Sequence, residues 1–278
     1  MAELALKQAT IEYQQFGPPD SAHPPVLFVH GILVDGRLWR DVAENLARRG
    51  FRCIVPTWPL GSHTIPVNEA TALSLPGVAE IIKDAIVALD LSDVTLVGSD
   101  TGGGLCQLVV DAYPDRIGRL VLTNCDAFDK CPPYPFDVAF GVLRGPISIK
   151  ALFGPLRWQT LRHSSLGYGL LINQPDPHLT AAWLQPCLQD SRICHDVAAL
   201  LRQVAKADLT EVATRLPRFT KPVTLVWGQL DRCFTPSLGR RLAGLFSNGK
   251  LIEVPDAKTF VALDNPGAVI DAIAACAP

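Results

Sequence analysis

In the stretch Leu96-Val97-Gly98-Ser99-Asp100-Thr101-Gly102-Gly103-Gly104, a buried strand runs straight into a helix with no residue to spare for a loop. The tip of such a turn is strained backbone. The residues two before and two after it must be small so that strand and helix can approach. Gly98 and Gly102 meet that demand only when Asp100 is the tip; with Ser99 there, the small positions would fall to Val97 and Thr101. The residue presented at the turn is therefore a carboxylate. A carboxylate is ionised at neutral pH and attacks without a base to activate it. The helix starting at Thr101 aims its N–H groups at the tip and is expected to lower the Asp100 pKa. Asp also serves as a plain helix N-cap, but a cap alone needs no frame of glycines.

Outward from the elbow, short apolar runs alternate with helical patterns. Pro25 to His30, Phe51 to Pro56, Val94 to Gly98 and Arg119 to Thr123 read as strands buried on both faces. Leu38 to Arg48, Pro76 to Leu89 and Thr101 to Tyr113 read as the helices between them. Thr10 to Gln15 alternates like an edge strand and ends at Gly17-Pro18-Pro19-Asp20. From about Ala127 to Arg218 the pattern changes to short helices, opened by Pro132-Pro133-Tyr134-Pro135. It then resumes, with strands at Val223 to Gly228 and Lys250 to Val254 and helices at Ser237 to Leu245 and Pro266 to Ala275. Such alternation demands crossover units and a mostly parallel, doubly wound α/β sheet. The expected organisation is a core of residues 1–126 and 219–278, with 127–218 inserted as a helical cap over the carboxyl edge of the strands. That edge is where open α/β sheets bind ligands.

The bulk composition narrows the field. A chain of 278 residues buries enough surface to need no staples. With 48% hydrophobic residues and a formal net charge of -2, it has no basic excess to neutralise phosphates, so no nucleic-acid partner is expected. No run approaches the ~20 apolar residues of a membrane span, and the first residues do not read as a leader. No membrane partner is expected, and the expected location is cytoplasmic. The eight cysteines form no Cys-x-x-Cys pair and sit within apolar runs, as in a reducing compartment. Cys194-His195 has no second cluster at ligand spacing, so neither a metal nor any other cofactor is expected.

Four anchors in order carry a family resemblance. They are His30-Gly31 after a buried strand, the elbow, Trp227-Gly228-Gln229-Leu230-Asp231 with Pro236, and Phe260-Val261-Ala262-Leu263-Asp264-Asn265-Pro266. Over nearly its full length the chain resembles the α/β-hydrolase superfamily. Its Asp elbow is similar to those of haloalkane dehalogenases, haloacetate dehalogenases and epoxide hydrolases. The resemblance implies that Asp100 attacks a carbon bearing a halide or an epoxide oxygen, and that water then cleaves the resulting ester. It also implies an oxyanion hole from the backbone N–H groups of Ile32 and Thr101. His30 is expected to be structural. Asp231 stands where the superfamily places the acid that orients its histidine; as an isolated residue it also reads as a turn-forming Asp.

The histidine itself is absent. The family's Gly-His-Phe corresponds to Lys258-Thr259-Phe260, so Thr259 stands in its place. A positioned base contributes typically 10²–10⁴-fold, and threonine cannot supply one near neutral pH. His63, in a loop after a strand, is the first candidate for a substitute base; His163, His178 and His195 in the cap rank below it. Dehalogenases follow the nucleophile with a tryptophan that holds the halide, but here the residue is Thr101. Epoxide hydrolases use cap tyrosines to protonate the opened oxygen, which points to Tyr134 and Tyr168. Trp158 and Trp183 are candidates to line an apolar pocket. The resulting expectation is a cofactor-independent enzyme acting on a small, fairly apolar molecule through Asp100, with a non-standard base. A lyase or isomerase using Asp100 as an acid–base group, and a silent small-molecule binding protein, remain as alternatives. The oligomeric state is not readable.

Overall fold

A computed structural model describes residues 1–143 and 145–276. Eight strands form one sheet in the order β1-β2-β4-β3-β5-β6-β7-β8. They are β1 (Ala2–Ala5), β2 (Thr10–Phe16), β3 (Val26–Val29), β4 (Cys53–Thr57), β5 (Val94–Asp100), β6 (Ile117–Cys125), β7 (Val223–Gly228) and β8 (Gly249–Val254). β1 and β2 are antiparallel to their neighbours, whereas β3 to β8 pair in parallel. Every residue of β3 is buried, as is every residue of β7, as the continuous apolar runs require when both faces of the sheet are covered.

Three helices connect the first strands: α1 (Arg40–Arg48), α2 (Leu75–Ala88) and α3 (Thr101–Ala112). Ser74 caps α2, its hydroxyl accepting from the Gly77 N–H at 3.2 Å. Between β6 and β7 come α4 (Phe136–Gly141), α5 (Pro146–Phe153), α6 (Gln159–Arg162), α7 (Pro177–Gln189), α8 (Ser191–Val204) and α9 (Thr210–Arg215). The last helices are α10 (Pro236–Ala243), α11 (Val261–Asp264) and α12 (Pro266–Cys276). α1 packs on α12 and α2 on α3.

The expected alternation of strand and helix is present, and its boundaries move by a few residues at most. One assignment needs correction. Thr10–Phe16 is not the edge strand, because β1 pairs outside it in the register Ala2↔Tyr13 to Ala5↔Thr10. β1 is four residues long and mostly exposed, so it carries no burial pattern to read.

Candidate active site

Asp100 ends β5 and precedes α3 with φ 55° and ψ -133°, a conformation that costs a non-glycine residue about 1–3 kcal/mol. The small-residue frame explains how it is held. A Cβ at Gly102 would lie 2.3 Å from the Val29 carbonyl oxygen, and one at Gly98 would lie 2.7 Å from the Gly102 oxygen. A Cβ at Gly31 would fall 2.0 Å from Asp100 Oδ2, so the third glycine clears room for the carboxyl itself.

That carboxyl is gripped by backbone. The Ile32 N–H donates to Oδ2 at 3.2 Å, and the Thr101 N–H donates to the same group. The two expected oxyanion donors therefore converge on Asp100. Their effect on its acidity is outweighed, which corrects the expectation of a lowered pKa. Burial pushes Asp100 from 3.8 up to about 7; the Thr101 and Ile32 hydrogen bonds oppose this, and the charge of Asp231 adds to it.

Asp231 and Thr259 are joined. The Thr259 hydroxyl donates to Asp231 Oδ2 at 2.8 Å, while Oδ1 accepts from the N–H groups of Cys233 at 2.7 Å and Phe234 at 3.1 Å. The acid is thus oriented by a hydroxyl where an imidazole would otherwise stand. Burial holds Asp231 up at about 6 against these donors.

Above Asp100 lies a cavity of about 430 Å³. Its floor is Ile32, Asp100 and Thr101; its walls come from the segment between β6 and β7, chiefly prolines, leucines and phenylalanines such as Pro133, Phe140, Phe153 and Leu171. The helical segment therefore covers the carboxyl edge of the sheet at the elbow.

A family model described as the alpha/beta hydrolase fold matches residues 24–144. A solved alpha/beta hydrolase fold protein from Burkholderia ambifaria superposes with a TM-score of 0.76 at 25% identity, covering 98% of this chain and 96% of that one. The chain has the α/β-hydrolase fold. Haloalkane dehalogenase 2 of Mycobacterium tuberculosis is 27% identical over 261 residues, 90% of this chain and 86% of the relative. Non-heme chloroperoxidase CPO-A1 of Kitasatospora aureofaciens is 26% identical over 239 residues, 82% of each chain.

His63 does not reach the cavity wall. Its Nδ1 accepts from the Gly61 N–H at 3.2 Å and its Nε2 faces Asp196 Oδ2 at 3.3 Å, so both ring nitrogens are taken up. The neighbouring Ser62 hydroxyl donates to the Trp183 carbonyl at 2.7 Å, turning this loop towards α7 and α8 rather than Asp100. His30 is structural: its Nε2 accepts from the Trp58 N–H at 2.8 Å, which leaves the proton on Nδ1 to donate to the Gly31 oxygen. Burial lowers its pKa to about 4, keeping the ring neutral. His163 bonds Thr180, and neither His178 nor His195 lines the cavity.

Of the four aromatic pocket candidates, only Tyr168 lines the cavity. Its hydroxyl donates to the Leu33 carbonyl and its ring packs on Trp183 at 5.3 Å between centroids. Tyr134 and Trp158 are each 73% exposed. Trp183 is fully buried, its Nε1 donating to Asp35 Oδ1 at 3.0 Å, so it braces helix α7 against the core.

One residue escaped the sequence reading. Asp126, just after β6, is fully buried, and neither carboxyl oxygen makes a hydrogen bond of good geometry. Burial and the charge of Asp100 hold it well above the carboxylate range, against the nearby Thr101 and Cys131 side chains. Asp126, like Asp231, lies three residues past a strand end read from the sequence, Thr123 in one case and Gly228 in the other, but it falls in none of the family anchors. Among the described residues no group of three or more His, Cys, Asp or Glu is arranged to hold a metal ion.

Proposed function

We propose that this protein transforms a small, fairly apolar molecule through the Asp100 carboxyl, by attack on an electrophilic carbon of an epoxide, halide or ester-like compound. The observation that carries this reading is a single carboxyl at the floor of an apolar cavity, held by the backbone N–H groups of Ile32, on Oδ2, and Thr101. The other carboxyl oxygen forms a bond to carbon as the bond to the halide or epoxide oxygen breaks, the halide leaving with the electron pair or the ring oxygen keeping it and staying attached. Oδ2 then becomes the ester carbonyl, and the Ile32 and Thr101 N–H groups stabilise the oxyanion that forms when water adds. Among the described residues no histidine lines the cavity, and the buried Asp231–Thr259 pair, a carboxylate and a hydroxyl, stands at the histidine's position without lining it. Water attack is accordingly the slow step, and His63 is left with a structural part.

A second reading is favoured by the Asp100 pKa of about 7. A carboxyl half-protonated near neutrality suits a proton shuttle, so a lyase or isomerase would need neither ester nor water. Incubation with short haloalkanes and epoxides separates the two. The nucleophilic reading requires a ligand fragment added to the peptide containing Asp100, and heavy oxygen from labelled water in that carboxyl after turnover. Product formed without either result replaces it with the acid–base reading. Tight ligand binding with no product at all would mark a silent binding protein.

A further inference from the structure

Among the described residues, eleven large apolar side chains stand exposed, and seven of them fall between residues 134 and 166. The concentration has a local cause. Helix α4 turns Phe136 and Phe140 inward to the cavity, yet Val138 on it and Val142 just past its end are 61% and 64% exposed. Helix α5 buries Ile149 and Phe153 but holds Ile147 out at 87%. A short helix apolar on both faces is expected to be covered on both. Leu152 and Leu166 are exposed and also line the cavity, so exposed apolar side chains reach its mouth. Patches of this kind mark interaction sites.

The charges beside the patch indicate what covers it. Lys150 lies one turn along α5 from Ile147, and Arg157 precedes the exposed Trp158. Neither is in an ion pair among the described residues, and Asp137 is the one acid in the exposed part of this segment. Apolar side chains with a tryptophan, flanked by basic residues, match an anionic lipid surface: rings and aliphatics enter the acyl boundary and the cations meet the headgroups. In a symmetric pairing of two copies the same patch would face itself and set like charges against each other. We infer that the 134–166 face docks on an anionic lipid surface, placing the cavity mouth against the apolar phase. Among the described residues no helix is long and apolar enough to cross a membrane, which is compatible with surface docking. The inference is independent of the chemistry at Asp100.

The protein carries its own reporter. Trp39, Trp58, Trp183 and Trp227 are fully buried, so a shift in tryptophan emission on docking reports Trp158. The test is cosedimentation and fluorescence with phosphatidylcholine vesicles, with and without phosphatidylglycerol. The expected result is a blue shift and sedimentation with the anionic vesicles, both lost in Val138→Glu/Ile147→Glu while the near-ultraviolet circular dichroism is unchanged. Lys150→Ala with Arg157→Ala should weaken that binding by roughly 30-fold. Failure to sediment with either vesicle overturns the inference, and equal binding to neutral vesicles overturns its anionic assignment. A blue shift that instead follows protein concentration without lipid, alongside elution at twice the monomer mass, makes this face an interface between two copies.

Discussion

At the floor of the cavity, Asp100 is held by main-chain N–H groups and by glycines whose missing Cβ atoms leave it room, whereas the roof is an assembly of short helices packed side chain to side chain. The two regions meet at one surface but obey different constraints. Backbone geometry admits few residue types, so the floor tolerates almost no substitution. Side-chain packing admits many combinations of similar volume, so the roof can vary while the floor stands. The chemistry available therefore belongs to the floor, and the choice of molecule belongs to the roof.

The sharpest way to break this division is Asp100→Asn. The amide keeps an acceptor for the Ile32 N–H but can neither attack nor carry a proton, so turnover should vanish. Stability should move the other way. The folded pKa is about 7 against an ordinary 3.8, so the folded state binds more protons between those values and stability falls as pH rises through that window. Asn removes the loss, and Tm at pH 7.5 should rise by about 2–4 °C for each kcal/mol recovered. The pH–rate profile of the wild type then separates the readings of Asp100. As a nucleophile it must be ionised, and kcat/KM should climb to a plateau above about pH 7; as a proton donor it should lose activity there. Residual turnover in Asp100→Asn would move the chemistry off the floor altogether.

Next in size is Thr259→His. Asp231 is already fixed by the Cys233 and Phe234 N–H groups, so an imidazole at 259 would find its orienting acid in place. If an Asp100 ester accumulates in the wild type, its breakdown should accelerate by roughly 10²-fold or more, read by the lifetime of the adduct in the mass spectrum. Thr259→Val is the control: it removes the donor to Asp231 without supplying a base, and should give no acceleration.

The contrast between floor and roof also explains what could be read in advance. Gly98, Gly102 and the run Val94 to Gly98 fixed the tip because sterics leave one solution there. The positions of Asp231 and Thr259, acid and vacant histidine, follow from the family resemblance, and a hydrogen bond joins them. Asp126 is not legible, because it lies in none of the family anchors that mark Asp231. The roof was not legible. The resemblance points to Tyr134 and residue type to Trp158 as pocket aromatics, but both are solvent-exposed, while prolines and leucines form the wall. Which side of a four- to eight-residue helix faces inward is decided by its neighbours, and a pattern that short cannot encode it.

A smaller effect tests whether His63 joins the two regions or serves the chemistry. His63→Ala removes the links to Gly61 and Asp196, leaving the Asp196 carboxylate with the Val67 N–H at 3.0 Å as its other partner. The expected cost is about 1–3 kcal/mol of stability, seen as a lower urea midpoint, with an unchanged pH–rate profile. Unaltered stability together with loss of an activity pKa would instead make His63 the missing base.

The smallest expected change is at Tyr168, the one predicted pocket aromatic that reaches the cavity. Its hydroxyl is committed to the Leu33 carbonyl, and burial holds its pKa well above the usual phenol range. An epoxide-opening acid would have to present that proton to the substrate oxygen instead, abandoning a carbonyl at the cavity wall. Tyr168→Phe keeps the ring packed on Trp183 and removes only the tie to Leu33. The expected outcome is a loss of about 1 kcal/mol in stability, with turnover within roughly threefold of wild type on whatever substrate is found. Turnover slowed by roughly a hundredfold or more, with KM unchanged, would show that the roof donates a proton during the reaction. The chemistry would then extend above the floor, and the epoxide class would become the first to pursue.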